Sequence, residues 1–145
     1  MKTISSFMGQ EHRHCDDVFV AADQLAQAGD WQAAQRHFDT FQADMARHFA
    51  REESALFPAF ERATGSRMGP TKMMLHEHEQ MRVLMMQLND ALLAQDEENW
   101  AGHAETLLIV LQQHNIKEEQ VLYPMAEQVL RDGAGRVLDE MAALG

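Results

Sequence analysis

The sequence predicts an all-α protein: an antiparallel, up-down-up-down four-helix bundle with an internal two-fold pseudo-repeat and a short C-terminal helical tail. Three observations predict it. Proline and glycine cluster at a few points, Gly29-Asp30, Gly65 through Pro70 and Asp132 to Gly135, with Pro58 and Pro124 standing apart. The long stretches between carry apolar residues at the three-then-four spacing of one helix face. Sliding the chain on itself by 66 positions superimposes one half on the other.

The first helix is expected from about Ser5 to Ala28, ended by Gly29, with Asp30 capping the next. Its stripe reads Met8, His12, Cys15, Phe19, Ala22, Ala26. The second runs from Trp31 to about Ala63, with Phe38, Phe41, Met45, His48, Glu52, Ala55 and Ala59 on one face. The third starts with Pro70 in its first turn and reaches about Ala94, its stripe being Met74, His78, Met81, Met85, Leu88, Leu92. The fourth runs from about Glu97 to Arg131 through Trp100, Leu107, Leu111, His114, Glu118, Val121 and Met125. An amphipathic tail, Arg136 to Leu144, forms a fifth helical piece. Short connections between such helices make neighbours antiparallel, giving one domain over 1–145 built of two helical hairpins, about 5–64 and 70–132.

The 66-residue shift places His48, Glu52, Glu53, Leu56 and Pro58 on His114, Glu118, Glu119, Leu122 and Pro124, and Phe57 on Tyr123. It also places Met8, Glu11 and His12 on Met74, Glu77 and His78, Asp30 on Asp96, and His37 on His103. One cassette, His-x-x-x-Glu-Glu-x-x-Leu-(Phe/Tyr)-Pro, is therefore used twice.

Composition narrows the partners. A chain of 145 residues can close a core without disulfides, and its single cysteine, Cys15, cannot form one within the chain. Twelve basic residues against 23 acidic give a net charge of −11. That argues against nucleic acid and anionic membranes and for cations or small molecules. The N-terminal stretch MKTISSFMGQEHRH meets histidines too soon for a secretory apolar core, and no run of about 18 apolar residues would span a bilayer. The cytoplasm is the expected compartment, and the chain a monomer or weak homodimer.

A lone His-x-x-x-Glu pair decorates many solvated helix faces. Here the pairs lie on the seam that should be buried, where an imidazole or carboxylate without a partner costs several kcal/mol. Burial therefore demands a hydrogen-bonded network or a metal. Four helices supply His12, His48, His78 and His114 with Glu52 and Glu118, too many donors for one ion. Two ions, bridged by the carboxylates with two histidines apiece, use them all, and an oxo or hydroxo bridge would leave an open position on each. Imidazole with carboxylate suits iron, with manganese the lesser choice, and the lack of thiolate clusters argues against structural zinc. Two ferric ions with two carboxylates and an oxo bridge would retain positive charge in a low-dielectric core. Glu53 and Glu119 either compensate it or, lying about 100° round the helix from their neighbours, face solvent.

The arrangement resembles the hemerythrin-like, or HHE cation-binding, family. The likeness runs from Glu11-His12 through His48-Phe49-Ala50-Arg51-Glu52-Glu53-Ser54-Ala55-Leu56-Phe57-Pro58 and Leu75-His76-Glu77-His78-Glu79 to His114-Asn115-Ile116-Lys117-Glu118-Glu119-Gln120-Val121-Leu122-Tyr123-Pro124. It implies a non-haem di-iron site with terminal histidines and carboxylate bridges. Oxygen-carrying hemerythrins use five histidines, two from a His-x-x-x-His pair on the third helix, and an aspartate five residues after the last. Here Met74 and Arg82 flank His78, and Glu118 follows His114 by four. The chain looks like the four-His, two-Glu branch, linked to nitric oxide, peroxide or oxygen chemistry and to iron-centre repair. The expected function is a di-iron protein that binds or reacts with such a ligand in sensing, stress protection or repair; the alternatives are iron storage or buffering without turnover, and a metal-free bundle.

Other residues are set aside. His14 and His76 sit two positions from His12 and His78, about 200° round the helix, and match no histidine under the shift. His37 and His103 lie about 16 Å from the site along their helices and are expected to cap the far end of the bundle. Cys15 is read as packing, with a thiolate or relay role as its alternative. Met81, Met85 and Met86 are read as soft core packing that lines a dry cavity for a diatomic ligand, and Tyr123 as packing, with a radical role as its alternative. Ferritin-like di-iron bundles need two Glu-x-x-His motifs, and only Glu11-His14 has that spacing near a seam.

Overall fold

The computed structural model describes residues 2–145 and forms helices where the breakers leave room for them. α1 (Ile4–Gln27) begins at Thr3, whose hydroxyl accepts the Ser6 N–H at 3.0 Å while the Ser6 hydroxyl accepts the Thr3 N–H at 2.9 Å. Gly29, in the left-handed region at φ 78°, turns the chain. Asp30 then caps α2 by accepting from the Ala33 N–H at 3.3 Å. α2 spans 31–64 as Trp31–Arg51, a π turn Glu52–Leu56 and Phe57–Thr64. α3 (Pro70–Ala94) ends at Gln95, φ 53°, a left-handed position held by a residue other than glycine. Asp96 caps α4 through the Asn99 N–H at 3.1 Å. α4 spans 97–130 as Glu97–Lys117, a π turn Glu118–Leu122 and Tyr123–Leu130. A 3-10 turn, Arg131–Gly133, leads into α5 (Ala134–Ala143).

Each helix packs on its hairpin partner, α1 on α2 and α3 on α4. The ring closes through α1 against α4 and α2 against α3. This is the four-helix bundle the spacing predicts, with the tail as α5. Among the described residues no helix is long and apolar enough to cross a membrane.

The π turns are absent from the sequence reading, and the cassette prolines explain them. In a continuous α-helix the Pro58 ring would meet the Ser54 carbonyl and the Pro124 ring the Gln120 carbonyl. Instead the Phe57 N–H reaches back to the Glu52 carbonyl and the Tyr123 N–H to the Glu118 carbonyl, widening the helix by one residue. The apolar stripe shifts with it. After Glu118 the buried residues are Leu122, Tyr123 and Ala126, whereas Val121 and Met125, expected on the seam, are 51% and 37% exposed. The matching Ala55 and Ala59 stay buried, and α5 packs over the π turn of α2.

Polar residues divide the core. One apolar cluster, with Phe19, Phe38, Phe41 and Trp100 at its centre, fills the half near the α1–α2 turn. A second, with Leu56, Phe57, Phe60, Leu122, Tyr123, Val137 and Met141, fills the opposite half. Each fully buried Phe contributes about 1.5–3 kcal/mol, so both clusters anchor what lies between them. Met81 and Met85 are buried as expected, but Met86 is 67% exposed and is not core: it follows Met85 by one position and so faces about 100° away.

Candidate metal centre

The layer between the two clusters holds all six residues picked from the sequence. His12 comes from α1, His48 and Glu52 from α2, His78 from α3, His114 and Glu118 from α4, and all are buried. Each hairpin contributes one imidazole pair: His12 and His48 have ring centroids 4.8 Å apart, His78 and His114 5.0 Å. Each carboxylate spans the pairs. Glu118 Oε1 lies 3.0 Å from His12 Nε2 and 3.2 Å from His114 Nε2. Glu52 Oε1 lies 3.0 Å from His78 Nε2 and 3.5 Å from His48 Nε2. Two sets of donor atoms emerge, each within 4.8 Å of one another: Glu52, His78, His114 and Glu118, and His12, His48 and Glu118.

Behind each imidazole stands a glutamate. Nδ1 of His12 lies 2.7 Å from Glu119, Nδ1 of His48 2.9 Å from Glu11, Nδ1 of His78 2.6 Å from Glu53 and Nδ1 of His114 2.8 Å from Glu77. Glu11 and Glu77 act within their own hairpin, whereas Glu53 and Glu119 reach across to the other. The open question over Glu53 and Glu119 is thus resolved: they hold histidines. Three of the four carboxylates are themselves paired, Glu11 with Arg51, Glu77 with Lys117 and Glu53 with Arg82. Against the cost of burial, His78 and Arg82 hold Glu53 below the usual carboxylate range, and Lys117 and His114 do the same for Glu77.

This outer ring fixes the chemistry of the inner one. A carboxylate can only accept, so every Nδ1 carries the proton, and in the neutral ring, the form that binds a metal, every Nε2 turns a lone pair inward. His12 and His48 Nε2 then face each other at 3.1 Å, a repulsive approach for two lone pairs. The Nε2 atoms of His78 and His114, Glu52 Oε1 and Glu118 Oε2 are buried without a hydrogen-bond partner. Burial and the Glu118 carboxylate push Glu52 up, while, against burial, the neighbouring Glu52 and His114 hold Glu118 well below the carboxylate range, and Glu118 in turn, also against burial, raises His114 to about 9, so without a metal the layer holds protons in its place. Orphaned inward lone pairs beside two buried carboxylates are what a cation relieves. The donor set fits iron: imidazole and carboxylate, with no thiolate.

Tyr123 is fully buried, and its role goes beyond the packing expected of it. Its hydroxyl lies 2.8 Å from Glu52 Oε2, 2.9 Å from Glu118 Oε1 and 3.2 Å from His12 Nε2. Burial, then the two carboxylates, push the phenol well above its ordinary value and keep it neutral. Cys15 stays out of the cluster: burial, then Asp44, push its thiol up to about 12, so it is not a thiolate. His14 is exposed and paired with Asp44 at 2.8 Å, and His76 is exposed. His37 bonds the Ala33 carbonyl of its own helix at 3.0 Å, and His103 lines a cleft beside the α3–α4 turn with Asp96 and Asn99.

A family model described as the hemerythrin HHE cation binding domain matches residues 3–126. No curated protein and no solved structure gives a significant match.

Proposed function

The chain belongs to the hemerythrin HHE cation-binding family and binds metal, and from that premise we propose that it holds two iron ions and binds or reacts with oxygen, nitric oxide or peroxide. The ligands in this reading are His12, His48, His78, His114, Glu52 and Glu118, with both carboxylates shared. One observation carries it: two imidazole pairs face two common carboxylates, and a glutamate fixes each ring with its lone pair inward. Bound iron supplies Lewis-acid and redox chemistry. The chain's own residues do the rest. The four Nδ1–H···Glu bonds hold the rings in one tautomer and orientation, which strengthens them as donors. The apolar clusters on either side keep the layer dry, so its charges act at low dielectric. Six protein donors shared between two ions fall short of filling both coordination shells, leaving room for a small exogenous ligand.

Storage without turnover is the competing use of the same donors. Against it stands the fixed capacity of a site whose every imidazole is oriented by a dedicated carboxylate. The deciding experiment is metal analysis of untagged protein, followed by anaerobic reduction and exposure in turn to oxygen, peroxide and nitric oxide under optical spectroscopy. About two irons per chain are expected on the donor count, with a spectral change for at least one ligand. Two irons with no response to any of them would establish storage, and a folded protein that takes up no iron would remove the di-iron reading.

A further inference from the structure

The two halves match at every proposed ligand and at every glutamate behind the histidines, so the places where they differ are informative. The 66-residue shift sets Phe57 against Tyr123, Phe49 against Asn115 and Arg82 against Asp16. All three differences fall around the same two histidines. His78 stacks on Phe49 and Phe57, with ring centroids at 4.0 and 5.7 Å, and its glutamate, Glu53, takes two bonds from Arg82 at 2.9 and 3.0 Å. His12 instead has the Tyr123 hydroxyl 3.2 Å from its inward nitrogen, and its glutamate, Glu119, has no ion pair with Lys or Arg among the described residues.

Resting on the two-metal reading above, we propose that the two positions are unequal and fill in order, and that Tyr123 is the positioning residue that makes them so. The position between His78 and His114 converges four donors, with both carboxylates among them; the one between His12 and His48 converges three. The missing donor is Glu52. Its Oε1 lies 3.0 Å from His78 but 3.5 Å from His48, and the Tyr123 hydroxyl stands on the His12 side of the layer, 3.2 Å from His12 Nε2, between Glu52 Oε2 at 2.8 Å and Glu118 Oε1 at 2.9 Å. In the matching half Glu118 Oε1 stands 3.2 Å from His114, and Phe57 brings no hydroxyl. A phenol that donates to a carboxylate oxygen occupies a lone pair a metal would use and weakens that carboxylate as a donor. A metal between His12 and His48 must displace that hydroxyl, and one between His78 and His114 meets none.

The outer charges act in the opposite sense. Asp16 in place of an arginine leaves the His12 side more negative, which favours a cation there. Glu119 is 42% exposed, however, against 0% for Glu52 and Glu118. Solvent screens the outer charges, while the inner contacts act in a dry layer. Tyr123 and Glu52 therefore set the order.

The test is anaerobic titration of metal-free protein with cobalt(II), followed by its visible ligand-field bands and by calorimetry. Wild type should take up two ions in two resolved steps, the first tighter by about tenfold or more. His78→Ala should abolish the tight step and His12→Ala the weak one. Tyr123→Phe gives the second cassette the residue the first already carries, so packing is retained; it should tighten the second step until the two merge and leave the first unchanged. Two ions bound in one step by wild type, loss of the tight step in His12→Ala, or steps still separated in Tyr123→Phe would each overturn the proposal. Fewer than two ions in total would instead sink the two-metal reading on which it rests.

Discussion

Glu77 accepts the Nδ1 proton of His114 and is paired in turn with Lys117, so Glu77→Gln keeps the side chain's shape while removing its charge. Metal affinity should fall by about 10–100-fold, the usual cost of disturbing a residue that orients a ligand. Competition against a chelator of known affinity would measure it, and circular dichroism should show the helices intact; unchanged affinity would mean that the carboxylate does not tune the imidazole. The inner histidines and glutamates were legible in the sequence because each belongs to a spaced pair repeated 66 residues on. Glu11 and Glu77 appeared in that same match, yet no role could be read from it. Glu11 precedes His12 but serves His48 on the next helix, and a one-dimensional pattern carries no distance between helices. Tyr123 was hidden for a related reason: an apolar neighbour on its own strip of helix reads as packing, while its hydroxyl meets His12 and Glu52 on two other helices as well as Glu118 on its own.

At the scale of the helix, Gln95 closes α3 in the left-handed region where the first hairpin uses Gly29 at the matching position. A residue with a Cβ is strained there, whereas glycine is not, although glycine loses more freedom on folding. Gln95→Gly should therefore stabilise the protein by roughly 0.5–1 kcal/mol, readable as a higher urea midpoint at an unchanged slope; a lower midpoint would place the strain elsewhere. Helix ends were the most legible part of the fold, because Asp30, Pro70 and Asp96 each carry a local mechanism for starting a helix. Helix interiors were less so. The period of 3.6 was carried straight through Glu118, and Val121 and Met125 came out on the wrong face, since one extra residue per turn leaves no mark on composition. Pro58 and Pro124 were the available signal: each sits inside a helix that does not break.

For the molecule as a whole, the metal layer is the join between two separate apolar clusters, so filling it should stabilise the fold. With free metal at a hundred times the dissociation constant, binding adds about 2.7 kcal/mol. For a chain of this size that raises the melting temperature by roughly 5–10 °C. Scanning calorimetry of metal-loaded and chelator-treated protein should show that difference, and coincident transitions would mean that the layer is stable with its lone pairs unrelieved. The bundle itself was legible because four capped stripes joined by short turns admit few arrangements. The division of its core was not, since an apolar stripe reads alike on both sides of a histidine. One feature of those stripes also bears on ancestry. Both π turns begin at a glutamate of the inner layer and end just before the aromatic residue that precedes proline. One insertion inherited by both halves accounts for this with a single event, where two later insertions would have had to strike the same codon position twice. The two π turns thus belong to the repeated unit itself, together with the proline that each precedes. Two copies of one half-length hairpin would be identical at every position, so the Tyr123 hydroxyl, set against Phe57, is a difference that a site made from a single continuous chain can carry on one side alone.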